Sequence, residues 1–346
     1  MSSNPALHRF LDSIGLSLDD QYNCINTNSS LESTPLENII VPLTHYDILA
    51  IEGPDSAKFL QGQTTCDITK VDDTQSLNGA YCTAKGRLLS NFQVARSNPE
   101  RYLLRMHRSI VSSSKDRLSK YIVFSKAEQH ILSDDSLAIG LYGPQARSNI
   151  EQTFGQSPQG KFQCLQSDHG PIIQLDEDGL MFECWLTIDS LASLWPQLNQ
   201  QLKTADSRHW QLLNIQQGIA EISSESVDLF IPQMLNYQIT GAINFTKGCY
   251  TGQEVVARMH YKGKTKRRLY RIAFEHPDTQ TPPAVATPLY GEGEQSIGDL
   301  VNIAKTGPNQ CEALAVITIK NVEENCAYVG SKHYPVQILP LPYAIT

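Results

Sequence analysis

The sequence is poor in charge and has no excess of basic residues. Only 18% of its 346 residues are Asp, Glu, Lys or Arg, against roughly 25% in an ordinary soluble protein. Its 28 basic and 36 acidic residues leave a net charge of −8. A protein that coats nucleic acid is normally basic overall, so direct nucleic-acid binding is disfavoured as the main role. Neutral side chains must supply the polar surface, and Gln alone occurs 26 times. Long apolar runs are missing too. The longest, residues 313–319, has seven residues and contains a Thr, whereas a membrane span needs about 20. Residues 1–10 lack the basic start and apolar stretch of a signal peptide, so a soluble, cytoplasmic protein is expected. No CxxC pair exists. No two of the eight cysteines lie closer than 15 residues, so ferredoxin-type ligation by this chain alone is excluded. No internal repeat is evident.

With 40% hydrophobic residues the chain can bury two or three domain cores. Leu7, Phe10, Leu11 and Ile14 share one helical face, with Asn4 as cap and Gly15 as stop. Residues 23–38 read as a loop. Strands follow from Ile39, and Gly53-Pro54-Asp55 marks a turn whose Asp55 can cap a short helix. Segments 75–84, 87–95 and 101–107 read as strands, and 108–121 as a helix. A second α+β region covers about 132–222, with a hairpin turning at Asp176-Glu177-Asp178-Gly179. It also holds a helix capped by Asp189 and another beginning near Ser207. The last 80 or so residues show short alternating segments broken by Gly and Pro, which points to a small β-barrel without a convincing helix. The expected class is α+β, with domains at 1–130, 131–240 and 241–346, the first two possibly interleaved.

The most informative stretch is Lys247-Gly248-Cys249-Tyr250-Thr251-Gly252-Gln253-Glu254. Thr251 and Glu254 have capping-box spacing, so a helix should start at Gly252 and end near Gly263. Cys249 then precedes a helix N-terminus with Lys247 close by. Both features favour thiolate and should lower its pKa below the free value of about 8.5. A plain thiol packed under a turn is the alternative. Residues 258–271 hold seven Lys or Arg and no acid, which leaves the remainder at −15, seven below the whole-chain −8. Such a contrast suggests an anion site using Arg258, Lys264, Lys266, Arg267 and Arg268. A solvated strand face is the equal alternative.

This octapeptide, with Phe230-Ile231-Pro232-Gln233-Met234-Leu235-Asn236 before it and Lys266-Arg267-Arg268-Leu269-Tyr270 after it, resembles the signature of the YgfZ family. Phe59-Leu60-Gln61-Gly62-Gln63-Thr64, Lys85-Gly86-Arg87 with Ser90-Asn91-Phe92, and Leu339-Pro340-Leu341-Pro342-Tyr343 extend the likeness from about residue 40 to the C-terminus. The family comprises folate-binding proteins associated with tRNA modification and related to the glycine cleavage T-protein. The resemblance implies a three-domain, T-protein-like ring with a C-terminal small β-barrel and a tetrahydrofolate-type ligand at its centre. It further implies a role in maturing or repairing iron–sulfur enzymes, including a radical enzyme that methylthiolates tRNA, so the link to tRNA is indirect. The two indole positions linked to folate fall on Trp210 and Tyr46, and the carboxylate that grips the pterin in the T-protein becomes Gln216. An amide accepts through one oxygen only, which weakens that grip. The T-protein's acidic pair becomes Ser90-Asn91, which removes a general base and speaks against aminomethyl transfer.

Three functions compete. The first is a tetrahydrofolate-binding accessory protein of iron–sulfur assembly, with Cys249 as a functional thiol and an iron–sulfur carrier protein as partner. One Cys cannot complete a cluster's four-ligand shell, so any cluster would be shared and transient. The second is a folate-dependent aminomethyl- or methyltransferase. The third, an RNA-binding module, is weakened by the acidic background and few interleaved aromatics.

Overall fold

The computed structural model describes residues 4–26, 37–277, 281–330 and 334–345. Most of the loop expected over residues 23–38 lies outside the described residues. Three large sheets organise the chain, beside a two-stranded ribbon of Ser17–Leu18 and Cys24–Ile25. The first is antiparallel, in the order Leu77–Cys82, Leu88–Asn98, Arg101–His107, Tyr46–Glu52, Glu128–Ile131. Helix Arg108–Ile122 buries Ile110, Val111, Leu118 and Ile122. The second sheet runs Cys164–Ser167, Gly170–Gln174, Met181–Thr187, Ser136–Tyr142, Ile39–Pro42, Lys203–Thr204, with its last pair parallel.

The two sheets share a plan that the sequence did not disclose as a repeat. In each, a strand (Tyr46–Glu52 or Ser136–Tyr142) runs into Gly-Pro and then a short helix, Ser56–Gln63 or Ala146–Phe154. The helices bury matching positions: Ser56, Phe59 and Leu60 in one, Ala146, Asn149 and Ile150 in the other. Gly53 and Gly143 open both turns with φ of +129° and +118°. A Cβ there would lie 2.4 Å from Lys126 O or 1.9 Å from Glu37 O, so only glycine fits. The strands that precede each unit are exchanged. Ile39–Pro42, which leads into the first unit, pairs with Ser136–Tyr142 of the second, and Glu128–Ile131 pairs with Tyr46–Glu52 of the first.

The third sheet is antiparallel with seven strands, from Tyr334–Pro335 through Tyr328–Val329, Pro288–Tyr290, Ser296–Gly307, Gln310–Thr318 and Arg267–Glu275 to Gln337–Leu339. Its two edge strands are separated in sequence by Val336 alone. The sheet therefore curls until its edges approach each other, as a half-barrel. Register shifts at Leu300/Asn302 and Lys305/Gly307 supply the bends. The expected α+β fold with a barrel-like C-terminal sheet is what forms, and one short helix, Ile319–Glu323, was not expected there.

Three expected caps do not form. Asp55 makes no cap bond to Ser56–Gln63, and its Oδ2 instead accepts from Lys126 N at 2.8 Å. Thr187, not Asp189, stands before helix Ile188–Leu198, and Asp189 falls in its first turn. Helix Gln253–Lys262 has Gly252 as N-cap, in the left-handed region, without a side-chain cap. Thr251 Oγ1 donates to Gln63 Oε1 at 3.2 Å, so the capping-box spacing forms no box. Asn4 does cap Pro5–Ser13, accepting from Ala6 N and Leu7 N.

Trp210, on helix Ser207–Gln216, has no exposed surface. A Cβ on Gly140 would come within 2.5 Å of its ring, so the indole lies flat on the backbone of the second sheet. Gly140→Ala should lower stability by about 1–3 kcal/mol through overpacking, read from urea denaturation midpoints. An unchanged midpoint would mean that the ring is not seated against that strand.

Candidate functional site

Where the three sheets meet, buried charges replace apolar packing. Arg105, in the middle of strand Arg101–His107, has its guanidinium 2.8 Å from Glu183 of the second sheet and 3.4 Å from Glu221. The guanidinium also lies 4.0 Å over the Tyr46 ring, and the Tyr46 hydroxyl donates to Glu221. Asn214 Nδ2 donates to Tyr46 Oη at 2.8 Å and to Glu221 Oε2 at 3.3 Å. Asn302 of the third sheet bonds both backbone groups of Glu221, accepting from its N at 2.9 Å and donating to its O at 3.2 Å. Burial pushes the carboxyl groups of Glu183 and Glu221 up, against the opposing pull of Arg105.

A crevice of about 610 Å³ opens above this cluster. It is lined by His45, His107 and Arg108 at the end of the first sheet, Gln211 and Asn214 of helix Ser207–Gln216, Glu221 and Glu225 of the segment after that helix, and Asn302 of the third sheet. The turn at residues 19–23 covers one side, with Arg108 stacked 4.8 Å over Tyr22. Behind the crevice is a small cavity of about 50 Å³ lined by Asn91, Gln93, Arg105, Glu221 and Tyr237. Glu221 borders both.

The expected ligand residues sit at or near this junction, but not as free surfaces. Tyr46 is buried, its ring covered by Arg105 and packed 4.1 Å from the His45 ring. Trp210 is enclosed, with its indole nitrogen unpaired. Gln216, half-buried at the end of its helix, lines neither cavity. Ser90 is buried, and both amide atoms of Asn91 bond backbone, Ala220 O at 3.3 Å and Ile222 N at 2.8 Å. Asn91 therefore holds the 220–222 segment against the first sheet.

The signature octapeptide lies on a different face. Lys247 Nζ donates to Gln61 O, Thr64 O and Cys66 O at 2.7–2.8 Å. Burial pushes its pKa down to about 8, opposed by Cys66 and Asp67. Its charge thus ties the octapeptide to the end of helix Ser56–Gln63 and is not free to serve Cys249. Tyr250 is buried, whereas Gly248 and Cys249 are exposed. Gly252, φ +85°, would bring a Cβ within 2.4 Å of Thr83 O, so the chain presses on the turn containing Lys85-Gly86-Arg87. Gln253 and Glu254 open the helix, four residues past Cys249. Cys249 is the exposed cysteine of the chain; Cys326 is half-buried and the other six are buried. Of the basic segment, Arg271 pairs with Glu312 at 2.7 Å and Arg267 donates to Ser296 O. Arg258, Lys264 and Lys266 are exposed, Arg267 and Arg268 half-buried. None of these lines the crevice.

Sequence reasoning missed His45, His107, Arg108, Asn214, Glu221 and Asn302. Arg105 within Tyr102-Leu103-Leu104-Arg105-Met106, and Glu183 within Met181-Phe182-Glu183-Cys184-Trp185, were legible signals. Each is one charge inside an apolar strand, and such charges are buried only when paired.

The architecture is that of the glycine cleavage T-protein class. Residues 29–173 match the family described as GCVT N-terminal domain. The crystal structure of the glycine cleavage system aminomethyltransferase T from Bartonella henselae superposes with a TM-score of 0.76 over 97% of this chain and 96% of that one, at 16% identity. The chain belongs to the YgfZ family. It is 32% identical over 294 residues to the tRNA-modifying protein YgfZ of Colwellia psychrerythraea, spanning 83% of this chain and 87% of that protein. With its counterpart in Pectobacterium carotovorum subsp. carotovorum the identity is 30% over 318 residues, 91% of this chain and 95% of the relative. Among the described residues no helix is long and apolar enough to cross a membrane.

The crevice imidazoles carry a pH dependence. Burial first, then Arg105 and Arg108, holds His107 down to about 4 against the opposing pull of Glu225. Burial, His107 and both arginines push His45 well below its usual range. His107 Nδ1 accepts from Ser109 N at 3.3 Å, which a protonated ring could not do. At His107 the unfolded chain therefore binds more protons than the folded one between about pH 6.5 and about pH 4, and this contribution opposes that of the raised Glu183 and Glu221 carboxyls. The histidine contribution to stability should be fully present above this window and be lost as pH drops through it. Chemical denaturation across the window should show that slope in the native protein and a shallower one in His107→Gln. Equal slopes would remove His107 from the account.

Proposed function

We propose that this protein is a tetrahydrofolate-binding accessory protein that supports the maturation or repair of iron–sulfur enzymes and, through them, tRNA methylthiolation. The observation that carries this reading is the interdomain crevice, in a fold shared with an aminomethyltransferase. Its volume falls in the usual range for ligand pockets, about 300–1,000 Å³. Its walls offer the uncharged amides of Gln211 and Asn214, two imidazoles and the carboxylates of Glu221 and Glu225. These suit a flat, NH-rich heterocycle. The fit differs in kind from the one the family resemblance implies. Hydrogen bonding from the walls replaces stacking on Trp210 and Tyr46, whose rings are covered by protein.

When bound, the folate would supply a one-carbon carrier. The protein's residues would orient it: Asn302 and Asn214 fix Glu221, and Glu221 borders the ligand. Aminomethyl transfer is disfavoured because Asn91 carries no charge and both its amide atoms are committed to backbone. Cys249 supports the iron–sulfur part of the reading, since it is exposed on a face that Lys247 and Gly252 fasten to the first sheet. A soft sulfur ligand suits transient contact with a cluster held by a partner carrier protein. An RNA-binding role has less support, because Arg271 and Arg267 of the basic segment are engaged within the third sheet.

Calorimetric titration of the full chain with tetrahydrofolate, paired with a turnover assay using a lipoyl-bound aminomethyl donor, tests the reading. Saturable binding without turnover is expected. Catalytic transfer would move the protein to the transferase class, and absence of binding would overturn the folate assignment. In a deletion strain, Cys249→Ser should retain folate binding but fail to restore tRNA methylthiolation. Full restoration would assign the sulfur a passive role.

A further inference from the structure

One side chain in the crevice is left without partners by folding. His45 is 1% exposed, and neither Nδ1 nor Nε2 has a hydrogen-bond partner among the described residues. Yet His45 is among the residues that line the crevice. An unpaired buried polar atom costs stability, so this position is expensive unless something entering the crevice completes it.

The surroundings specify what that something is. Tyr46 covers one side of the imidazole at 4.1 Å, and His107, at 6.3 Å, has its Nδ1 occupied by Ser109. Arg108 donates its Nε to Thr44 O at 2.9 Å and lies 3.5 Å from Asp47, so its charge is already engaged. Glu221 and Glu225 border the same space. A carboxylate or phosphate placed against His45 would face these acids. An uncharged group with a carbonyl oxygen or an N–H would not, and an imidazole can pair with either through its donor or its acceptor nitrogen.

We propose that His45 is a ligand-contacting residue, hydrogen-bonding an uncharged amide-type group of the molecule that fills the crevice through a nitrogen that folding leaves unpaired. The inference rests on the folate reading. Two parts of tetrahydrofolate carry such a group: the pyrimidinone of the pterin and the amide of the p-aminobenzoyl unit.

The test compares native protein, His45→Phe and His45→Gln. Phe keeps a ring without nitrogens, and Gln restores one donor and one acceptor. Each is titrated calorimetrically with tetrahydrofolate, tetrahydropterin and p-aminobenzoylglutamate. His45→Phe should bind tetrahydrofolate about tenfold more weakly, the loss of one hydrogen bond, and His45→Gln should recover most of it. The fragment that reaches His45 should show the same loss, and the other none. Without ligand, His45→Phe should melt no lower than native protein, because the unpaired nitrogens are gone. If the native protein binds and His45→Phe binds equally well, the His45 contact is overturned alone. The same holds if Phe and Gln lose equally. If the native protein binds none of the three probes, the folate reading falls and the contact with it.

Discussion

A single guanidinium joins the layers of this protein. Arg105 belongs to the first sheet, Glu183 to the second, and Glu221 to the segment whose backbone Asn302 of the third sheet holds. The charges are almost out of contact with water, with side-chain exposures of 10%, 0% and 9% for Arg105, Glu183 and Glu221. Two carboxylates against one cation would leave an uncompensated charge in a poorly polarisable interior. Hydrogen bonds from Tyr46, Asn214 and Trp185 Nε1, the last at 2.7 Å from Glu183, spread that charge. A buried ion pair is seldom worth more than a well-packed apolar replacement, but losing one partner is costly. The cluster therefore specifies how the sheets sit against one another, and the crevice above it inherits that geometry.

The exchange of strands between the first two sheets acts in the same direction. Neither strand–Gly-Pro–helix unit has a complete sheet without Ile39–Pro42 or Glu128–Ile131 from the other's sequence neighbourhood. The two units must therefore assemble together, and the ion cluster forms at their seam. The Cys249 face is built differently, by one lysine buried under three carbonyls and one glycine pressed on a neighbouring turn. The chemistry proposed for the crevice and that proposed for the thiol thus occupy separate surfaces of one rigid frame. A partner could reach Cys249 without entering the ligand crevice.

Local patterns in the sequence were good guides to local structure. The Asn4 cap, the Asp176 hairpin and the helix beginning at Ser207 form because neighbouring residues decide them. The failures share a cause, contacts from distant segments. Thr251-x-x-Glu254 has the spacing of a capping box, but the close approach to Thr83 O holds Gly252 in a left-handed conformation and turns Thr251 toward Gln63. Trp210 was expected to offer a ring face, and Gly140, 70 positions earlier in the chain, provides a flat seat that buries it. The dipeptide shared by Gly53-Pro54 and Gly143-Pro144 does not by itself read as a repeat. Its meaning depended on strand exchange, which has no sequence period. His45 could not have been singled out, since only the assembled crevice shows that its nitrogens lack partners.

Arg105 holds the layers in register, and equilibrium urea denaturation of Arg105→Met is the test of that role. Met fills similar volume without charge and leaves Glu183 and Glu221 buried against each other. A loss of about 3–5 kcal/mol relative to the native protein is expected, as when one partner is removed from a buried ionic cluster. A variant within about 1 kcal/mol of native stability would contradict it, and would mean that apolar packing alone sets the arrangement of the sheets.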